Sequence, residues 1–259
     1  MLKVIWGAAA VVLIGGGVAA YYFLQDEPPP PPPPPPKIAR DPVRVAPVVV
    51  APAIRHPLGG AAATGLPELE QSDAPLLQAL DELLGRKWRA YFLPDRVIRR
   101  IVATVENLPR ERLPADVMPL KRVPNAFVTS GKDATLAIGS RNSARYAAYA
   151  AVVAAIDAAK LVAVYVRFYP LFQRAYEELG YPKAYFNDRL VVAIDDLLTA
   201  PELAGPIRLV RPMVNYEFAD PALEARSAGQ KIMIRMGKDN AAKVKSKLRE
   251  IRKLVATGG

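Results

Sequence analysis

Few side chains in this chain of 259 residues could do chemistry, and their types narrow the options at once. There is no cysteine, so thiolate metal sites, iron–sulfur clusters, disulfides and cysteine nucleophiles are excluded. The one histidine, His56, lies among prolines ahead of the bulk of the chain, where neither a Ser-His-Asp arrangement nor a histidine-ligated metal is expected. Carboxylate pairs occur at Glu177-Glu178 and Asp195-Asp196. Neighbours on a helix point about 100° apart, whereas general acid–base work needs two carboxyls facing one cavity. Solvated helix faces are the better reading. Asp157 stands in the most apolar stretch, Ala147 to Val166, where a lone carboxylate needs a partner. Lys160, one turn on, or an arginine from a neighbouring helix would complete a buried ion pair. No catalytic residue, metal ligand or cofactor is assigned.

The aromatic residues are more suggestive. Seven of the eleven tyrosines fall between Tyr146 and Tyr185. Tyr165, Tyr169, Phe172 and Tyr176 share one helical face, with Arg167 and Arg174 on a second stripe and Arg189 further on. Aromatic platforms beside arginine suit sugar rings, peptides or nucleobases, so these seven residues are the candidate ligand contacts. The competing reading is an amphipathic core helix with internally bonded hydroxyls. A second constellation sits near the C-terminus, where Lys243, Lys245, Lys247, Arg249, Arg252 and Lys253 surround an apolar edge of Val244, Leu248, Ile251 and Val255. Such a basic amphipathic helix attracts anionic lipid heads, phosphorylated envelope polymers or nucleic acid.

The elements that must position these groups are mostly helical. Ser72 is expected to cap a helix carrying Leu76, Leu77, Leu80, Leu83 and Leu84, stopped by Gly85. Pro94 opens a second, whose Val97, Ile98, Ile101, Val102, Val105 and Leu108 recur at the helical period. Pro109, Pro114, Pro119 and Pro124 forbid helix beyond it. Phe127 to Thr129 and Ala134 to Ile138, around Ser130-Gly131-Lys132-Asp133, read as a short hairpin. Asn142 or Ser143 caps the longest helix, apolar all round and therefore central in a bundle, with a second membrane span as the rival reading. Pro170 is expected to kink or break it, and Gly180 to end its continuation. Another helix covers about Asn187 to Thr199. Ile207 to Arg211 and Val214 to Phe218 look extended, Asp220 caps a helix beginning at Pro221, and a last helix runs from about Asn240 to Ala256.

Ahead of this domain, Val4 to Leu24 is a run of 21 residues without a charge, or roughly 31 Å of helix, enough to cross a bilayer. Trp6 and Tyr21-Tyr22-Phe23 resemble interfacial belts. A signal peptide cleaved after Gly17-Val18-Ala19 is the rival, but the apolar run continues through Leu24. Pro28 to Pro36 is nine consecutive prolines, a polyproline II stalk of roughly 28 Å. The expected division is thus 1–24 as a transmembrane anchor, 25–66 as a Pro-rich linker and 67–259 as one mainly α domain, a helical bundle with a minor β-hairpin element.

Several motifs occur in order: Pro67-Glu68-Leu69 with Gln71-Ser72-Asp73, Ile101-Val102-Ala103-Thr104-Val105-Glu106-Asn107-Leu108-Pro109, Asn142 with Arg145-Tyr146, Tyr169-Pro170-Leu171-Phe172-Gln173-Arg174 through Gly180-Tyr181-Pro182, Phe186-Asn187-Asp188-Arg189, and Gly229-Gln230-Lys231 before Arg235-Met236-Gly237. Together, over about residues 66–255, they resemble the bacterial domain-of-unknown-function family numbered 3014. The resemblance implies one domain behind a membrane span and a Pro-rich spacer, and it implies no activity. The expected function is that of a single-pass protein of the bacterial cytoplasmic membrane. Its anchor (residues 4–24) sits in the lipid bilayer, and its helical domain lies in the periplasm as a binding or scaffolding module for an envelope polymer or envelope protein. Nucleic acid is not an expected partner of an exported domain. The alternative is a carboxylate-based envelope enzyme acting on a glycan or peptide through Asp157, Glu177, Asp188 and Asp195. A third arrangement inverts the topology and leaves a nucleic-acid-binding domain in the cytoplasm.

Overall fold

The structure, a computed structural model, describes residues 53–58 and 65–256. The expected membrane anchor, the proline run and most of the linker lie outside the described residues.

Helix α1 (Asp73–Leu84) buries Leu76, Leu77 and Leu80 and ends at Gly85, whose φ of 66° is open to glycine. Ser72 occupies the N-cap position but does not cap. Its hydroxyl donates to the Leu69 carbonyl at 2.7 Å. Asp73 instead uses both carboxylate oxygens on the next helix, accepting from the amides of Arg96 and Val97 at 2.7 Å each. That grip starts α2 (Val97–Asn107) three residues beyond Pro94, the expected opening. Val97, Ile98, Val102 and Val105 turn its apolar stripe inward. The four prolines that follow leave only a short 3₁₀ turn at Ala115–Val117.

Two antiparallel hairpins make up the β element, with strands shorter than their patterns suggest. In the first, β1 (Thr129–Ser130) pairs with β2 (Ala137–Ile138) so that Thr129 faces Ile138. In the second, β3 (Leu209–Val210) pairs with β4 (Glu217–Phe218), Leu209 facing Phe218. A bridge between Ala137 and Arg208 joins them. Leu209 and Phe218 close a small core with Ile234.

The long central helix is not continuous. A 3₁₀ segment at Ser140–Tyr146 leads into α3 (Ala147–Ala155), and α4 (Ala158–Glu178) follows at an 81° bend. Asp157 causes the break. It is exposed, and its carboxylate accepts the Lys160 amide at 3.0 Å as the N-cap of α4. The expected buried ion pair is therefore replaced by a cap, and the hydrogen bond from Lys160, more than the Lys160 charge, lowers the pKa of Asp157. Nor is α3 central, since Ala147, Ala148, Ala151, Ala154 and Ala155 are exposed. Asn142 caps nothing. Buried completely, it bonds the Val128 amide, the Arg235 carbonyl and Arg145. Among the described residues no single helix is long and apolar enough to cross a membrane, although the bent α3–α4 pair passes that test by length and composition.

Of the two expected outcomes at Pro170, kink or break, the break does not occur, since α4 runs through it. The proline itself lies on the exposed side of the helix. The remaining helices are α5 (Phe186–Leu198), α6 (Pro221–Glu224), α7 (Ala228–Arg235) and α8 (Lys238–Val255). Asp220 caps α6 as expected, accepting the Ala222 amide at 2.8 Å. α7 has no counterpart among the expected helices. Ser227 starts it by accepting the Gln230 amide. The main core joins α1, α2, α4 and the start of α5 around Phe168, Phe172 and Phe186. A second cluster seals α4 and α5 against Val255 of α8.

Residues 53–58, within the segment read as linker, are held on this second cluster. The amides of Arg55 and His56 donate to the Asp188 carboxylate at 3.1 and 2.8 Å. Leu58 packs with Val162, Val191, Ile194 and Val255.

Candidate functional site

The amphipathic pattern of α4 fixes where its aromatic residues go. Phe172 and Tyr176 are buried, and Tyr165 and Tyr169 pack beside them. Phe172 stacks on Phe186 with centroids 5.7 Å apart, and Tyr176 stacks on Tyr181 at 4.7 Å. Tyr165 meets Phe172 edge-on at 5.3 Å. The tyrosine hydroxyls are bonded internally: Tyr165 donates to Asn187 Oδ1 at 3.2 Å and Tyr169 to Gln173 Oε1 at 3.1 Å. The face expected to receive a ligand is thus turned into the protein, because Phe168, Leu171 and Ala175 share its burial. Arg167 remains exposed with its guanidinium 5.4 Å over the Phe168 ring.

Tyr176 and Arg189 do meet, at a residue the composition left unremarked. Glu106 is only 5% exposed. Its Oε1 lies 2.5 Å from Arg110 and accepts from the Tyr181 hydroxyl at 3.0 Å. Its Oε2 lies 2.8 Å from Arg189 Nε and 3.3 Å from the Tyr176 hydroxyl. Two guanidiniums and two phenols therefore surround one carboxylate, which accepts hydrogen bonds from Arg110, Tyr176 and Tyr181 and is matched in charge by Arg189. An acid position in the inward stripe of α2, beside Val102 and Val105, was the signal that could have revealed it.

Burial, with the nearby Glu106 charge second, pushes the Tyr176 phenol up to about 12. Burial also holds Tyr165 well above its ordinary value. A folded phenol that binds its proton more tightly than the unfolded one, which titrates near 10, contributes fully below that pH. The contribution is lost as pH rises through about 12. Urea unfolding at successive alkaline pH values should therefore show stability falling between these limits, with a shallower fall in Tyr176→Phe. An equal slope in the two proteins would refute the coupling.

The basic face of α8 divides. Lys245 is buried, and its ammonium donates to the Ala200 carbonyl at 2.6 Å. Lys247, also buried, reaches Glu250 at 2.5 Å. Arg252 is paired with both oxygens of Asp195. Lys245 and Lys247 do not join the surface expected of them, since α8 packs on α3, α4 and α5 along that side, and the partly exposed Arg252 has its charge matched by Asp195. Lys243, Arg249 and Lys253 are exposed. The other acids are also engaged. Glu177 accepts from Gln173, Asp188 holds the amides of residues 55 and 56, and Asp157 caps a helix. Among the described residues no three His, Asp or Glu side chains converge as metal ligands would.

A cleft of about 330 Å³ opens between the first turns of α2 and the last turn of α4. Its floor is apolar, from Val102, Ala103 and Ala175, and its rim carries Arg96, Arg99 and Arg100 together with Asp116, Glu178 and the exposed Leu179. Arg99 bridges Glu70 at 2.6 Å and Glu178 at 2.8 Å. Arg174 continues the ladder, 3.3 Å from Glu178 and 2.6 Å from Glu68. Glu70 is lowered chiefly by its hydrogen bond from Arg99. Arg100 is spent on Asp95 and on the carbonyls of Asp95, Asp116 and Met118. Arg96 differs. Its side chain is 71% exposed and stands 3.7 Å from Asp95, its nearest acid.

The family model described as "Protein of unknown function (DUF3014)" matches residues 97–252, from the start of α2 to the last turns of α8. No curated protein and no solved structure matches the chain.

Proposed function

The chain belongs to the DUF3014 family, and from that premise we propose that its helical domain is a binding or scaffolding module whose ligand seat is the arginine-edged cleft between α2 and α4. The ligand is a carboxylate- or phosphate-bearing envelope polymer or protein. The setting is the outer face of a bacterial cytoplasmic membrane. Support for the setting comes from the uncharged run at residues 4–24 and the nine prolines behind it.

One observation carries the cleft. Arg96 has φ 50°, the left-handed region, where a non-glycine backbone costs on the order of 1 kcal/mol. The other described non-glycine residues with positive φ are Asn125 and Asp133, types that tolerate it. A long basic side chain held there, by the Asp73 carboxylate on its amide, places the least committed guanidinium at the cleft mouth.

Arg96→Asn suits this backbone and removes the charge. The full chain in detergent should bind tripolyphosphate in calorimetric titration, saturably and less tightly as salt rises. Arg96→Asn should weaken that binding at least about tenfold, or 1.4 kcal/mol, while raising unfolding stability by about 1 kcal/mol. The double variant R249Q/K253Q, on the exposed face of α8, should bind as the parent does. Unchanged affinity in Arg96→Asn, or a loss confined to the double variant, would overturn the assignment.

A further inference from the structure

We propose that the tip of the β3–β4 hairpin, Met213-Val214, docks into the headgroup region of an anionic bilayer. The inference rests on the membrane setting above and is independent of the cleft. Met213 is 84% exposed and Val214 77%, the most exposed large apolar side chains among the described residues, and they are consecutive. Isolated exposed apolar residues need no explanation. A pair projecting from a braced turn is different, because both can enter an apolar phase together without any rearrangement of the fold.

The turn is braced. Pro212 fixes φ just before the pair. Arg211 donates from Nε to the Val214 carbonyl at 3.3 Å and lies 5.4 Å over the Tyr216 ring. Tyr216 in turn packs on Phe127 at 5.6 Å, and its carbonyl accepts from Arg235 at 3.2 Å. At the foot of the hairpin Leu209 and Phe218 are buried.

Charge selects the occupant. Arg208 and Arg211 flank the apolar pair on the β3 side, against Glu217 alone on the β4 side. Arginines set behind an apolar tip match a surface whose outer layer is anionic and whose next layer is hydrocarbon. A protein groove would ask only for the apolar contact. Reach is no obstacle, because any chain of 28 residues, the number between Leu24 and Ala53, can span roughly 90 Å.

The absence of cysteine makes the test direct. Met213→Cys in the full chain carries one environment-sensitive fluorophore, and Lys87→Cys, also exposed, serves as the control position. Both labelled chains are reconstituted into phosphatidylglycerol vesicles and into phosphatidylcholine vesicles. The Met213 label should shift to the blue and become severalfold less accessible to iodide with phosphatidylglycerol only, while the Lys87 label stays aqueous in both. Arg208→Gln should reduce that shift. A chain that fails to float with either vesicle overturns the membrane setting and the tip together. A chain that floats with a water-like Met213 label overturns the tip alone, and leaves the hairpin to a protein partner.

Discussion

Glu106→Ala should lower stability by about 3–5 kcal/mol. At roughly 2–4 °C per kcal/mol for a domain of this size, that is a fall of about 6–20 °C in thermal midpoint. The substitution strands the mostly buried Arg189 without its carboxylate and removes the acceptor from two tyrosine hydroxyls at once. A charge left alone away from water is the expensive part, more so than the attraction forfeited. Glu106→Gln keeps the volume and one acceptor oxygen and should lose less. The ordering Ala below Gln below parent, read by urea unfolding, is the informative result. A midpoint unchanged in Glu106→Ala would mean that water already reaches Arg189 and that the network contributes nothing.

Asn187→Ala should cost about 2–5 kcal/mol, since its amide nitrogen donates to the carbonyls of His56 and Val255 at 2.8 and 2.9 Å while its oxygen accepts from Tyr165. The residue is 1% exposed, so water cannot replace those bonds without opening the seam. Amides of residues 53–58 should exchange with deuterium faster in the variant. Asp188→Asn separates two effects, because it weakens the grip on Arg55 and His56 and leaves Val255 tied. It should loosen residues 53–58 with a smaller change in global stability. Equal exchange in all three proteins would show that the segment is held by Leu58 and its apolar neighbours instead.

What could be read in advance follows from where the information lay. α5 and α8 were legible because a stripe at the helical period has one physical solution, burial of that stripe. The break at Asp157 was not. An aspartate inside an apolar run reads alike whether it is buried and paired or exposed and capping, and only the backbone amide of Lys160 decides between them. Pro170 left two outcomes open, kink or break, and the sequence alone does not say that α4 continues through it. The aromatic face was ambiguous because tyrosine suits both a wet platform and a core with bonded hydroxyls. Phe168 and Ala175 on the same side of α4 were the clue. For the cleft, no spacing foretells that Arg96 takes a left-handed backbone, which follows from a carboxylate 23 residues earlier. Docking of residues 53–58 was hidden too, because main-chain amides do it and any side chains would serve.

Asn187 grips the polypeptide close to where it enters the bundle and again where α8 finishes. Doorway and exit are therefore neighbours. A segment joined after Ala256 would start beside residues 53–58.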